Sequence, residues 1–160
     1  MDNTLRQKVL DLWNVNTINP HHPELNQLVH TIQVTQWAVA RHQRVFKCIT
    51  FGDFVRAAVL HDIGKATCMA ERNNTHGHEK ASIDMIRESS DAGIVTVQTL
   101  WVIENHIRVI NLDTMRPKKQ AALRDNPLFP ALLEFRECDK AGRDPEFRIT
   151  PSVFGWFLDI

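Results

Sequence analysis

The sequence predicts an all-α fold, a single compact bundle of helices. Apolar residues recur at helical spacing along most of the 160 residues, and no alternating pattern typical of a strand extends beyond a few positions. The chain contains no internal repeat and no low-complexity tract. Its length and its 43% content of hydrophobic residues suit one domain with one core over residues 1–160.

The first three predicted helices cover residues 3–14, 24–42 and 52–63. The first is assigned to the fold and not to a secretory signal, because it lacks a basic segment followed by a continuous apolar one. Pro20 and Pro23 bracket the entry to the second helix. In the third, apolar side chains recur at intervals of three and four residues and form one stripe.

Prolines and glycines limit the later elements. Three prolines suit the first turns of helices, namely Pro117, Pro127 and Pro130. Three glycines mark turns, namely Gly64, Gly77 and Gly93. The polar segment between residues 65 and 77 is interpreted as a loop beside a functional site. The remaining helices are predicted at residues 79–90, 94–107, 117–125, 128–142 and 151–158.

The charge balance and the cysteines exclude several classes of protein. Nineteen basic and nineteen acidic residues cancel, so no global field favours nucleic acid or a membrane surface, and any phosphate must be bound locally. The longest run without a charged residue, 92–103, is too short to span a membrane. Three cysteines far apart in sequence fit neither a disulfide framework nor a zinc knuckle, and they indicate reduced thiols in the cytoplasm.

Six titratable side chains fall on helix faces that are otherwise apolar. They are His30, His61, Asp62, His78, His106 and Asp139. Each one alone is compatible with a hydrogen-bonded core residue or a helix cap. Six together indicate divalent cations, because unpaired buried charge is costly and a cation satisfies imidazole and carboxylate at once. The absence of thiolates from the set favours manganese, iron, cobalt, nickel or zinc over calcium.

The same residues stand in four short segments, HDIGK (61–65), HGHEKAS (76–82), ENH (104–106) and CDKAGR (138–143). With His30 placed before them, their order resembles the HD domain superfamily of metal-dependent phosphohydrolases, an all-α fold, over roughly residues 25–143. The segments look like those of the HD domain attached to bacterial tRNA nucleotidyltransferases and of related HD phosphodiesterases. The nucleotidyltransferase head of the tRNA enzymes is missing here, so we expect a small substrate or an accessible end.

The resemblance implies a division of the six ligands between two metal sites. One cation would be held by His30, His61, Asp62 and Asp139, and a second by His78 and His106 with Asp62 as the bridge. Family members with one metal commonly lack the two middle histidines, so their presence favours two ions over one. His76 is a reserve ligand in place of His78.

Metal-activated water would then hydrolyse a phosphoester, with Asp62 as a catalytic metal ligand. Lys65 follows His61 by one turn and is a candidate for catalysis and for binding a phosphoryl oxygen, and Arg143 follows Asp139 at the same distance as a candidate clamp. A helix C-terminal cation and a surface ion pair are the structural alternatives for these two residues. The basic segment 116–124 is interpreted as a solvated face and not as an extended nucleic-acid surface.

Four functions remain open from the sequence. The first is a phosphohydrolase acting on a nucleotide or a nucleic-acid end, as a 2′,3′-cyclic phosphodiesterase, a phosphatase or a nucleotidase. The second is a diiron oxygenase on the same ligand set. The third is a non-catalytic module that binds a metal or a nucleotide, and the fourth is a structural adaptor, which leaves the six inward polar residues unexplained. We expect a small phosphoester as partner and no membrane, and a homodimer remains open.

Overall fold

The computed structural model describes residues 3–16 and 26–143, and every regular element in these two ranges is helical. The predicted all-α bundle is therefore confirmed, whereas the predicted helix 151–158 lies outside the described residues. Eight α-helices are present there: α1 Leu5–Asp11, α2 Gln27–Arg41, α3 Phe51–Leu60, α4 Gly64–Arg72, α5 His78–Arg87, α6 Val97–Ile110, α7 Pro117–Arg124 and α8 Phe129–Ala141.

Short polar side chains fix where several helices begin. The side chain of Asn26 accepts hydrogen bonds from the first two free backbone N–H groups of α2, and Thr96 caps α6 in the same manner. Thr96 explains why α6 begins three residues later than the sequence pattern indicated, since its cap leaves residues 92–94 in a separate 3₁₀ turn. Pro117 stands at the first position of α7, where its missing N–H is harmless.

Asp53 in the first turn of α3 ties this helix to α6. Its carboxylate accepts hydrogen bonds from the hydroxyls of Thr50, Thr96 and Thr99 at 2.6–3.1 Å. Burial raises the pKa of the Asp53 carboxyl, but these hydroxyl donors outweigh that effect and hold it below its ordinary value. The N-terminus of α3, which leads into the turn with His61 and Asp62, is thereby fixed to the N-terminus of α6, which carries His106.

Helices α2, α3, α6 and α8 enclose the core. α2 packs against α3 and α8, and α6 packs against α3, α5 and α8. The rings of Phe54 and Phe135 meet edge to face in the centre, and both side chains are fully buried. The inward faces of the four helices are therefore rigid supports for any side chain that projects between them.

The predicted loop over residues 65–77 is wrong, because the chain forms α4 over Gly64–Arg72. The segment is polar overall, but it contains alanine, methionine and glutamate, which favour helix. Cys68 is buried on its inner face, and Asn73 ends it with a left-handed backbone, φ 53°. Only residues 73–77 connect α4 to α5.

Gly64, which the sequence pattern assigns to a turn, is the first residue of α4 and follows the short turn after α3. A Cβ atom at this position would lie 2.3 Å from the carbonyl oxygen of His78 and 2.4 Å from the backbone nitrogen of Ser82. The Ser82 hydroxyl accepts from the Gly64 N–H and donates to the His61 carbonyl, both at 2.9 Å. The absence of a side chain at Gly64 thus allows α5 to lie directly on the turn that carries His61 and Asp62.

Among residues 3–16 and 26–143, no helix combines the length and the apolar character that a membrane span requires.

Candidate metal centre

All six inward polar residues meet in one buried cluster between α2, α5, α6, α8 and the turn after α3. The six residues are His30, His61, Asp62, His78, His106 and Asp139, and none is more than 6% exposed. Their donor atoms form two groups of three, in each of which the atoms lie within 4.8 Å of one another. The first group contains His30, His61 and Asp139, and the second contains Asp62, His78 and His106.

The four imidazoles are oriented by the backbone. The Nδ1 atom of each ring lies 2.6–2.9 Å from a carbonyl oxygen, that of Gly142 for His30, Ala58 for His61, Thr75 for His78 and Ile103 for His106. Because a carbonyl only accepts, Nδ1 carries the proton and the Nε2 lone pair points into the cluster. Rings held in this tautomer are prepared as metal ligands.

Asp62 lies between the two groups. Its Oδ2 atom is 3.0 Å from His61 Nε2 and 3.6 Å from His30 Nε2, whereas its Oδ1 atom is 3.0 Å from His78 Nε2 and 3.9 Å from His106 Nε2. Each carboxylate oxygen thus faces the nitrogen atoms of a different histidine pair. The arrangement is that of a carboxylate able to bridge two cations.

Several atoms of the cluster need a positive partner. His61 Nε2 and Asp62 Oδ1 are buried and have no hydrogen-bond partner among the described residues. His78 Nε2 and His106 Nε2 lie 3.1 Å apart, and with both Nδ1 atoms protonated their lone pairs would repel. A divalent cation in each group relieves both problems, and the imidazole and carboxylate donors suit a transition metal. The residues present therefore fit metal ions, whose identity the geometry does not select.

The electrostatics keep both carboxylates ionised and His106 neutral, which are the forms that bind a metal, whereas His78 is drawn towards its protonated form. Burial raises the pKa of the Asp62 carboxyl, but the charges of His61 and Lys65 outweigh it and hold the pKa well below its ordinary value. Burial likewise raises the pKa of the Asp139 carboxyl, but the interaction with His30 outweighs it and holds that pKa below its ordinary value. Burial lowers the pKa of His106 to about 3, so this ring is neutral at pH 7. The pKa of His78 is raised: burial opposes its charge, and the Asp62 carboxylate outweighs burial.

Lys65 and Gln27 form a closed triangle with Asp62. The Lys65 ammonium donates to Asp62 Oδ2 at 2.8 Å and to Gln27 Oε1 at 3.1 Å, and Gln27 Nε2 donates to the same Asp62 oxygen at 2.6 Å. All three side chains are buried. Sequence reasoning missed Gln27, although it stands one turn before His30 on α2. An uncharged amide in the first turn of a helix gives little signal without its partner 35 residues away.

The other predicted residues occupy different places. Arg143 donates from Nη2 to Asp139 Oδ2 at 3.1 Å, and its side chain is 32% exposed, so it extends from the cluster towards solvent. His76 is exposed and its ring takes no part in the cluster, which leaves His78 as the histidine of this segment that lies there. The roles of the six residues as ligands, of Asp62 and Lys65 in catalysis, and of Lys65 and Arg143 in substrate binding stay predictions.

The fold and the cluster define an all-α protein with an internal His/Asp centre suited to divalent cations. The sequence model of the HD domain family matches residues 28–140, which is more than half of the chain and includes all six residues of the cluster. The chain belongs to the HD domain family. This family is in general one of metal-dependent hydrolases, and a hydrolase that binds divalent metal is consistent with the geometry.

The chain is also similar to part of several curated proteins. It is 27% identical over 144 residues to the Multifunctional CCA protein of Burkholderia orbicola (strain MC0-3), which covers 82% of this chain and 33% of that protein. It is 30% identical over 139 residues to the Multifunctional CCA protein of Azoarcus sp. (strain BH72), which covers 79% and 32%. The chain therefore spans about a third of the length of the curated relatives it matches.

Proposed function

We propose that this protein is a metal-dependent phosphohydrolase that acts on a nucleotide or on a phosphoester at a nucleic-acid end. The reaction would be that of a 2′,3′-cyclic phosphodiesterase, a phosphatase or a nucleotidase. The observation that carries the proposal is the pair of buried His/Asp triads, together with two basic side chains. The ammonium of Lys65 contacts Asp62 in one triad, and the guanidinium of Arg143 contacts Asp139 in the other. Such an arrangement joins ligands for divalent metals to side chains that bind phosphate.

The metal ligands would be divided as the geometry divides them. His30, His61 and Asp139 would hold one cation and His78 and His106 the other, with Asp62 between them. Bound cations of this kind lower the pKa of a coordinated water towards neutrality and offset charge on phosphoryl oxygens. The surrounding apolar core excludes bulk water, which strengthens each of these interactions.

Lys65 has one donor left for substrate. Its ammonium carries three N–H groups, of which one is directed to Asp62 and one to Gln27. The third can donate to a phosphoryl oxygen as a point charge. Arg143 keeps free N–H groups beyond the one directed to Asp139, and its partial exposure suits the outer end of the same phosphate.

The similarity to Multifunctional CCA proteins supports a nucleotide as the substrate class, because CCA denotes a nucleotide sequence. Only the HD-domain part of those proteins is matched, so their activity as a whole is not transferred. Comparison of turnover among substrates would distinguish a cyclic phosphodiester, a monophosphate and a longer nucleic-acid end.

The test begins with metal-free protein reloaded separately with manganese, cobalt, nickel, zinc and iron. Product release is measured on 2′,3′-cyclic nucleotides, on 2′-, 3′- and 5′-nucleotides, on deoxynucleoside triphosphates and on an aryl phosphodiester, with Asp62→Ala as the inactive control. Metal-dependent turnover that Asp62→Ala abolishes is the expected result. A protein that binds two metals per chain and hydrolyses none of these compounds would refute the proposal, and oxygen consumption by the iron form would then point to an oxygenase.

Lys65→Ala separates catalysis from structure. We expect turnover to fall at least a hundredfold, while the metal content measured on the same samples falls far less, because a phosphate contact is lost and the six ligands remain. Lys80→Ala is the matched control, since Lys80 is exposed on α5 and pairs only weakly with Asp84 in solvent. An equal loss of metal and turnover in Lys65→Ala would assign Lys65 to holding Asp62.

A further inference from the structure

A cavity of about 670 Å³ lies on the outer side of α6 against α7 and the segment between them. This volume falls within the range of roughly 300–1,000 Å³ that is typical of small-molecule sites. None of the six residues of the metal cluster lines it. The cavity is therefore a separate feature of the fold, and the proposed hydrolysis does not account for it.

Part of the cavity lining is apolar. Trp101 on α6 and Met115 are partly buried and pack on the core, and the buried Leu123 on α7 belongs to the core. Buried Leu123 anchors α7 to the core. The side chain of Gln120 on α7 donates from Nε2 to the Met115 carbonyl oxygen at 2.9 Å, which ties the segment before α7 to the helix. Trp101 therefore places a partly buried aromatic side chain at the cavity, of the kind on which a planar ring stacks.

The polar side of the cavity is cationic and is ordered by a buried amide. Arg108, Arg116 and Lys119 line it against a single acid, Glu104. Asn105, only 3% exposed, accepts from Arg108 Nη1 at 3.0 Å and donates to the Trp101 carbonyl at 2.8 Å. One buried side chain therefore fixes both the guanidinium and the helix turn that carries the indole.

Three cations against one acid, beside a rigid indole, suit an anion that carries an aromatic ring. The chain has no net charge, so this local excess of positive charge is not part of a general basic surface. Two of the cations belong to the segment 116–124, which the sequence pattern alone favoured as a solvated face. Both are exposed, as expected for a solvated face, and both also line this cavity together with apolar side chains.

We propose that this cavity binds a nucleotide, with its base against Trp101 and its phosphate on Arg108, Arg116 and Lys119. The ligand is either a free nucleoside monophosphate or the terminal nucleotide of an oligonucleotide, which share this chemistry. The proposal does not depend on hydrolysis at the metal cluster. It adds a recognition site on the same helix, α6, that supplies His106.

The test uses the full-length chain without metal, so that no turnover occurs. Isothermal titration calorimetry measures binding of adenosine 5′-monophosphate, adenosine, inorganic phosphate and a short single-stranded oligonucleotide. We expect the monophosphate to bind at least tenfold more tightly than adenosine or phosphate alone, and higher salt to weaken it. The comparison of monophosphate with oligonucleotide decides which source of the nucleotide the site prefers.

Two neighbouring lysines provide a matched pair of variants. Lys119→Ala removes a cation that lines the cavity, and we expect it to raise the Kd for the monophosphate about tenfold, the loss of one charge-assisted hydrogen bond. Lys118→Ala removes an exposed cation of the same helix that does not line it, and should change the Kd less than twofold. Arg143→Ala should also leave the Kd unchanged, which separates this site from the metal cluster.

The proposal is overturned if Lys119→Ala and Lys118→Ala have equal effects, if adenosine binds as tightly as the monophosphate, or if no heat is detected at millimolar nucleotide. Loss of binding in Arg143→Ala with no change in Lys119→Ala would place the nucleotide at the metal cluster instead. Hydrolysis assays on the same variants give an independent result, so failure of this site and failure of the proposed hydrolase are distinguishable.

Discussion

Gly64→Ala tests whether close packing of α4 on α5 holds the metal cluster together. The added Cβ would lie 2.3 Å from the His78 carbonyl oxygen and 2.4 Å from the Ser82 nitrogen. Both are backbone atoms at the start of α5, so no rotation of a side chain relieves the contact. Ordinary contact begins at 3.4 Å, and 3.4 minus 2.3 requires α5 to move by about 1 Å.

The change in the free energy of unfolding expected for Gly64→Ala combines two opposing contributions. Overpacking of this kind destabilises by about 1–3 kcal/mol, whereas alanine in place of glycine within a helix stabilises by about 0.5–1 kcal/mol. We therefore expect a net loss of about 1–2 kcal/mol in the free energy of unfolding. Because the movement carries His78 away from Asp62 and His106, affinity for the metal held by that triad should fall about tenfold.

Gly52→Ala is the matched control. Gly52 lies in the first turn of α3, and a Cβ there meets nothing within 4 Å. This variant should gain up to about 1 kcal/mol and keep its metal affinity. The assay is urea unfolding of metal-free protein together with metal titration against a chromophoric chelator. If Gly64→Ala is as stable as Gly52→Ala and binds metal as well, the argument from close packing is refuted.

Three further outcomes are expected. Asp53→Asn should lower the free energy of unfolding by about 1–2 kcal/mol at pH 7. The pKa of Asp53 is lower in the folded than in the unfolded protein, so this stabilisation is present above about pH 4 and is lost as pH falls through the folded value. A difference in stability between variant and wild type that persisted in acid would contradict the assignment. Gln27→Ala should weaken metal binding about tenfold in a chelator competition, whereas Gln7→Ala on α1 should not; equal affinities would show that the amide does not orient Asp62. Arg143→Ala should raise the KM for a phosphoester about tenfold with metal content unchanged, and a parallel loss of metal would mean that Arg143 acts by holding Asp139.

Helical periodicity was a reliable guide where helices bury one face. The stripes around Phe54 and Phe135 were sufficient to predict α3 and α8, because a core helix needs apolar residues at that spacing whatever its partners are. The same reasoning failed for α4. Much of this helix faces solvent and α5, so its composition is polar and its apolar pattern is weak; of its buried residues only Cys68 is apolar.

The cluster itself was predictable because charge on an apolar stripe is expensive. That rule selected all six residues from the sequence, and the structure brings their donor atoms together in two groups. It could not select Gln27, whose amide is neutral, nor the contact of Gly64 with the backbone of His78. Both depend on atoms from helices that are distant in the chain.

The all-α class, the HD-type order of motifs and the buried histidines and aspartates were all predictable from the sequence, because each depends on the residue types at single positions along one helix. The three-dimensional fold was needed to show which nitrogen atoms face each oxygen of Asp62 and that Trp101 and Lys119 line one cavity. These depend on how helices pack across the core. That packing is set by complementary side-chain shapes between segments far apart in sequence, and a one-dimensional pattern does not record it.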